Sequence, residues 1–305
     1  MLGRRTAARA LHTTCRRYTT RTGLLDQLLR NPELDEHEAK NELRWLRDAA
    51  RERRLSPQDT ESAIAQMVER RSKGEPLQYI LGNTDFGPLT LLTRAPTLIP
   101  RPETAFVVEA YAERLAGVSR PLRILDLCTG SGCIPLLLSH LLGDRFAAGF
   151  GVDLSSEAIS LASDNIKLLG DERVSVFEGD VMLANFARAV REATGGQPID
   201  IITANPPYIP QAEWEALPDS VREYEDRRAL VGGLVAGFGD GVAFYDRIGE
   251  LAQEILMPDP KLARVPRLAV EIGADQGEVV SRMLPGRTEV LQDQYSRDRM
   301  VLSTL

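Results

Sequence analysis

Two successive prolines, Pro206 and Pro207, close an apolar run that starts after Asp200, and this pairing constrains the chain more than any other feature. The run Ile201-Ile202-Thr203-Ala204 is short and continuous, as a strand buried inside a parallel sheet reads, and it follows the turn signals Gly195-Gly196 and Pro198. Proline lacks the N–H that a sheet ladder needs, so the strand must stop at Asn205 and present Asn205-Pro206-Pro207-Tyr208 at its carboxyl end. Open α/β sheets bind ligands at that end.

The surrounding pattern agrees. Strand-like runs at residues 123–127, 147–152, 174–177, 200–204, 268–272, 288–291 and 300–302 alternate with helical patterns at 133–142, 156–169, 183–193, 241–257 and 276–284. This predicts a doubly wound, mostly parallel, Rossmann-like sheet of seven strands in a domain over residues 101–305. No helix separates the last two strands, so they are expected to close the sheet as an antiparallel pair. Residues 22–76 read as a small helical domain, with stripes at Leu24, Leu25, Leu28 and Leu29, at Leu43, Leu46 and Ala50, and at Ile64, Met67 and Val68. Ser56-Pro57 marks a helix start and Gly74 a stop. Residues 77–100 are expected to form a β-hairpin connector, from the β-like pieces 77–81 and 89–92 with Gly82, Asn83, Gly87 and Pro88 between them.

The formal net charge of −7 over 305 residues hides an uneven distribution. Residues 1–25 hold Arg4, Arg5, Arg9, Arg16, Arg17 and Arg21 and no acid; without those six arginines, 31 basic residues stand against 44 acidic ones, a balance of −13. The Arg-, Thr- and Ala-rich start has the composition of a transit peptide, placed at residues 1–21 and read as mitochondrial; a basic tail for an acidic surface is the other reading. No apolar run approaches the roughly 18 residues that span a bilayer, so neither a membrane nor, given the acidic remainder, a nucleic acid is an expected partner. Cys15, Cys128 and Cys133 make no CxxC pair, and His12, His37 and His140 lie far apart, so no metal site is expected.

The first strand runs into Asp126-Leu127-Cys128-Thr129-Gly130-Ser131-Gly132-Cys133, where the glycines let a ligand approach the backbone at the opening of a helix. This is neither GxGxxG nor a Walker loop. The second strand ends at Asp153, 27 residues after Asp126, where an acid can accept from two ribose hydroxyls, and the third ends at Asp180-Val181, placed to meet an adenine. Each acid alone also reads as a helix N-cap or loop residue. Together, with Asn205 at the end of the fourth strand, they describe a site for an adenosine whose reactive group points at Asn205, which S-adenosylmethionine fits.

The lone pair of a planar amide or exocyclic amine nitrogen is delocalised and poorly nucleophilic. The Asn205 side-chain oxygen and the Pro206 carbonyl offer two acceptors for one NH2 group, holding it and stabilising the positive charge that develops as it attacks, while Tyr208 can stack on the flat group.

On these residues the chain resembles the HemK/PrmC family of protein glutamine N5-methyltransferases. The likeness extends through residues 71–82 (Arg71-Ser72-Lys73-Gly74-Glu75-Pro76-Leu77-Gln78-Tyr79-Ile80-Leu81-Gly82) and 98–104 (Leu98-Ile99-Pro100-Arg101-Pro102-Glu103-Thr104). It includes Tyr224-Glu225, Ala229-Leu230, Gly232-Gly233 and Asp240-Gly241 farther on. The resemblance implies a methyltransferase sheet, S-adenosylmethionine held by Cys128, Thr129, Gly130, Ser131, Gly132, Asp153, Asp180, Val181 and Asn205, and a helical domain that recognises the substrate. That substrate would be the Gly-Gly-Gln glutamine of a class I peptide chain release factor, gripped by Asn205, Pro206, Pro207 and Tyr208 with Asn205 and Pro206 catalytic, the enzyme acting as a monomer. Cys128 stands where relatives often carry glycine, and residues 234–238 look inserted. Two other functions share these features, an adenine N6-methyltransferase of nucleic acids and a silent release-factor- or ribosome-binding scaffold. The chain also carries Gly195-Gly196-Gln197, read as a turn, with self-methylation the remote alternative.

Overall fold

The computed structural model describes residues 21–235 and 239–305, so the arginine-rich segment up to residue 20 and residues 236–238 of the 234–238 stretch lie outside the described residues. The chain divides into two compact units, Met1–Gly74 and Glu75–Leu305.

Helices α1 (Arg21–Leu28), α2 (Glu36–Glu52) and α3 (Pro57–Ser72) build the first unit. α2 starts at a reciprocal cap: the Glu38 N–H donates to Asp35 Oδ1 and the Asp35 N–H donates to Glu38 Oε2, each at 2.8 Å. α3 starts as expected at Ser56-Pro57. Ala39, Leu43, Leu46 and Ala50 of α2 bury one face with Ile64, Met67 and Val68 of α3. Inside this apolar packing, Arg71 Nε and Nη2 donate to Glu42 Oε2 and Oε1 at 2.7 and 3.1 Å. The Arg71 carbonyl also accepts from Asn31 Nδ2 at 3.0 Å, so the arginine of the 71–82 motif is a structural keystone of this unit.

The second unit opens on α4 (Leu77–Leu81), which corrects the β-like reading of these residues. A mainly apolar five-residue piece has no decisive period; flanked by Pro76 and by Gly82 at φ +85°, whose N–H donates to the Gln78 carbonyl, it closes into one helical turn. The hairpin is instead β1 (Asn83–Phe86) with β2 (Leu89–Leu92). After α5 (Pro102–Arg114) come β3 (Leu122–Leu127), α6 (Cys133–Leu142), β4 (Phe146–Asp153), α7 (Ser156–Leu169), β5 (Val174–Glu178), α8 (Phe186–Ala193) and β6 (Ile201–Ala204). The rest is α9 (Asp219–Tyr224), the two-residue strands β7 (Leu234–Val235) and β8 (Gly239–Asp240), α10 (Ala243–Ile255), β9 (Leu268–Glu271), α11 (Gly277–Met283), β10 (Arg287–Gln292) and β11 (Asp298–Thr304).

The seven-stranded sheet has the order β10-β11-β9-β6-β3-β4-β5. β3 pairs in parallel with both β4 and β6, so the winding reverses beside β3 and opens a crevice at the carboxyl ends of these strands. The expected antiparallel pair is present, with a refinement: β11 lies between β9 and β10 and runs antiparallel to both. Side chains of β3 alternate between two cores, Leu122 and Ile124 on one face and Leu125 and Leu127 on the other. Gly195 and Gly196, both at positive φ, turn the chain after α8, and the Gln197 side-chain oxygen accepts from Arg123 Nε at 3.0 Å.

Asp126 sits inside the sheet, fully buried, and accepts a 2.6 Å hydrogen bond from the Thr203 hydroxyl. Burial pushes its carboxyl up to about 7, against the lowering by the Thr129 and Thr203 hydroxyls.

Two outcomes follow from these buried charges. Arg71→Ala strands the Glu42 carboxylate and is expected to destabilise the first unit by about 3–5 kcal/mol; hydrogen exchange over residues 24–72 reads this, and unchanged protection there would refute it. Between about pH 4, where an unfolded aspartate titrates, and about pH 7, folded Asp126 holds a proton that the unfolded chain has released. Its contribution is therefore full below pH 4 and is lost as pH rises through 7. The melting temperature of Asp126→Asn relative to wild type should rise between pH 5 and 8, by something on the order of 5 °C. A constant difference in thermal scans would show that the carboxyl does not titrate there.

Candidate active site

The crevice holds a cavity of about 260 Å3. Its base is made by the ends of four strands: Cys128 and Gly130 after β3, Asp153, Leu154 and Ser155 after β4, Gly179 to Met182 after β5, and Asn205 and Pro207 after β6. Thr97, Leu98, Asp226, Arg228, Ala229 and Phe244 complete the wall. Gly130 adopts φ +55°, and a Cβ added there would meet no protein atom within 4 Å, so the space beside its backbone is left for a ligand.

Asp153 is pinned: Gly130 N–H donates to its Oδ2 at 2.8 Å and Ser155 N–H to its Oδ1 at 2.9 Å. The N-cap of α7 is Ser155, which leaves Asp153 to the cavity. Burial raises the Asp153 carboxyl, and these two N–H bonds work in the other direction. Asp180 Oδ1 accepts from the Met182 N–H at 2.9 Å. Arg247 of α10 steadies the same loop, donating to the Val181 and Leu183 carbonyls at 3.0 Å each. Cys128 holds φ +57°, the left-handed region that favours glycine, at a cost of about 1–2 kcal/mol. Burial and the Asp153, Asp126 and Asp180 carboxylates push its thiol well above the usual range.

Of the acids ending the first three strands, only Asp153 and Asp180 line the cavity; Asp126 lies buried between β3 and β6. Thr129 and Ser131 are also buried, and with Cys128, Gly130 and Asn205 they border a narrow recess of about 30 Å3. Gly132, at φ +77°, packs against Ala162 of α7. The Ser131 carbonyl accepts from Asn165 Nδ2 at 3.0 Å, and Asn165 Oδ1 accepts from the Leu92 N–H at 2.7 Å, which ties the glycine loop to the hairpin.

Asn205 borders both this cavity and a second pocket of about 130 Å3, which Tyr208, Ile209, Leu217, Val221 and Leu230 line with apolar surface and Arg101 and Glu271 with charge. Pro206 is buried and lines neither pocket. Nearby backbone braces the motif: a Cβ on Gly232 would lie 2.7 Å from the Pro207 carbonyl oxygen, and one on Gly241, at φ +84°, would meet the Tyr208 carbonyl oxygen. Gln276 completes the brace, donating from Nε2 to the Tyr208 carbonyl at 3.0 Å while its Oε1 accepts from the Gly273 N–H at 2.8 Å and the Tyr245 hydroxyl at 3.2 Å. Ile209 N–H donates to the Leu230 carbonyl and Gly232 N–H to the Ile209 carbonyl.

No local sequence pattern assigns a role to Gln276, Glu271, Arg101, Asp226 or Arg228. Arg101 Nη2 donates to Glu225 Oε1 and Oε2 at 2.9 and 2.7 Å, across 124 residues of chain, and only the conjunction of the 98–104 and 224–230 motifs hinted at that pairing. Arg228 clasps Asp226 in the cavity wall, with Nη2 2.7 Å from Oδ2.

Residues 33–82 match the PrmC N-terminal domain family. Release factor glutamine methyltransferase of Geobacter sulfurreducens is 38% identical over 256 residues, covering 80% of this chain and 81% of that protein. That of Bacillus cereus is 34% identical over 81% of this chain and 83% of its own length, and that of Moorella thermoacetica 36% identical over 87% and 90%. Among solved structures, a protein-(glutamine-N5) methyltransferase (release factor-specific) from Alicyclobacillus acidocaldarius aligns at 23% identity, 67% of this chain and 92% of that one, with a TM-score of 0.36. By these relatives, and in keeping with its seven-stranded sheet, the chain belongs to the HemK/PrmC family and is an S-adenosylmethionine-dependent methyltransferase.

Proposed function

We propose that this enzyme methylates N5 of the glutamine in the Gly-Gly-Gln motif of a class I peptide chain release factor, acting as a monomer in mitochondria. The observation that carries the reading is the position of Asn205, shared by the larger cavity and by the smaller, mainly apolar pocket beside it. A glutamine side chain entering the smaller pocket would bring its amide to the boundary with the cofactor. The names of the relatives support the substrate.

S-adenosylmethionine supplies an electrophilic methyl group on a sulfonium. Asp153 and Asp180 offer acceptors for the ribose hydroxyls and the adenine edge, Val181 an apolar face, and the glycine loop backbone room for the rest. Asn205 Oδ1 and the Pro206 carbonyl accept the two amide hydrogens, which aims the nitrogen and stabilises its growing positive charge. The amide sheds a proton readily once methylated, so positioning carries most of the catalysis. The brace of Gln276, Gly232 and Gly241 keeps the backbone acceptors in register.

Mass spectrometry of a full-length mitochondrial release factor, with and without this enzyme and S-adenosylmethionine, is expected to show one methyl on the Gly-Gly-Gln glutamine. Asn205→Ala removes one acceptor while leaving both pockets, so kcat should fall by about 10²–10³ with a smaller change in release-factor affinity. A wild-type kcat in that variant removes Asn205 from the chemistry. For location, deletion of residues 1–20, which spares α1, should leave an active enzyme that stays in the cytosol of the cell; import of the shortened chain contradicts the transit reading.

A further inference from the structure

The smaller pocket carries more charge than a glutamine-holding site needs. Glu271, the last residue of β9, lines it and is 1% exposed. Its Oε2 makes no well-formed hydrogen bond to any described residue, although the Thr104 hydroxyl lies close. The groups around it come from every neighbouring element: Arg101 and Glu103 at the start of α5, Cys133 at the start of α6, Tyr208, Tyr245 of α10, and Arg299 of β11.

Two arginines face three buried carboxyls, Glu225, Asp293 and Glu271, and the Arg299 Nε makes no well-formed hydrogen bond to any described residue. Arg101 pairs with buried Glu225 at 2.7 Å, and Arg299 with buried Asp293 at 3.3 Å. Glu271 is therefore a carboxyl in excess of the cations that face it, at the wall of a pocket small enough for one side chain. We propose that Glu271 makes this pocket select a neutral carboxamide over a carboxylate, so that glutamine enters and glutamate is turned away. This inference rests on the glutamine reading of the Asn205–Tyr208 motif.

Ionised, Glu271 repels a substrate carboxylate, and the two arginines nearby are shared with Glu225 and Asp293; protonated, it loses the repulsion and gains an O–H that either side chain can accept from. Burial pushes Glu271 up to about 7, against the lowering by Thr104, Arg299 and Arg101, so the switch falls within reach of ordinary buffers. Burial moves Tyr208 and Tyr245 upward, and Cys133 up to about 12, away from that range. Asp126, also near 7, is the group to be separated from it.

The test uses the full chain with S-adenosylmethionine and two full-length release factors, Gly-Gly-Gln and its Gln→Glu counterpart. Surfaces away from the motif cancel in the ratio of their affinities, and an exposed glutamate stays ionised from pH 6 to 8. For wild type the preference for the glutamine form should rise about tenfold or more from pH 6 to pH 8. Asp126→Asn should keep that rise, whereas Glu271→Gln should show a lower, pH-independent preference with S-adenosylmethionine affinity retained. A flat ratio in wild type, loss of the rise in Asp126→Asn, or a wild-type rise in Glu271→Gln overturns the assignment. Should Glu271→Gln fail to fold, the wild-type and Asp126→Asn profiles still decide. Absence of methyl transfer to the glutamine form, read separately by mass spectrometry, would overturn the substrate reading and this inference with it.

Discussion

The site depends on how one central strand is held at both ends. β6 lies between β3 and β9 and cannot shift without breaking two parallel ladders. Its amino end is anchored by Asp200, which accepts from Arg120 Nη1 and Nη2 at 3.0 and 2.7 Å and from the Arg123 N–H at 2.8 Å, while Arg267 donates to the Asp200 carbonyl. At its carboxyl end the two prolines stop the ladder, and the brace centred on Gln276 fixes the backbone that follows. An amide acceptor that works by position needs this rigidity, since a small displacement of reacting groups costs much of the rate.

Buried charge is handled in two ways in the same molecule. Glu42 with Arg71, Glu225 with Arg101, and Asp200 with Arg120 are matched pairs, each holding together segments distant in the chain. Asp126 and Glu271 have no matched cation, and burial raises both toward neutrality. Asp126 stands beneath the glycine loop, outside the cavity lining, and Glu271 against the smaller pocket, so the unmatched carboxyls sit close to the two pockets. Perturbed ionisable groups concentrate at such places. Cys128 fits the same description in backbone terms, since it holds a left-handed conformation at the cavity floor that a glycine would adopt without strain.

Much of this was legible in the residues. Long alternation of apolar strands and amphipathic helices specified a doubly wound sheet, because period and length distinguish those elements without help from the rest of the chain. The short piece at residues 77–81 is ambiguous because five residues, four of them apolar, between a proline and a glycine fit either a strand or a helical turn, and packing of Leu77, Tyr79 and Ile80 decides between them. The strand-end acids were legible as a set but not individually. Which of them reaches the cavity depends on the register of β3 against β6, and that register buries Asp126 beside Thr203.

The sequence by itself determined the long elements of the doubly wound sheet and put Asn205 at the end of one of its central strands, because these follow from local rules of backbone geometry. Only the tertiary structure decided what stands around Asn205. Gln276 reaches Tyr208 across 68 residues and Arg101 reaches Glu225 across 124, and Glu271 enters the smaller pocket only once β9 takes its place beside β6. Such partners are chosen by the packing of distant segments, and the identity of a pocket wall is therefore a property of the fold and not of any stretch of chain.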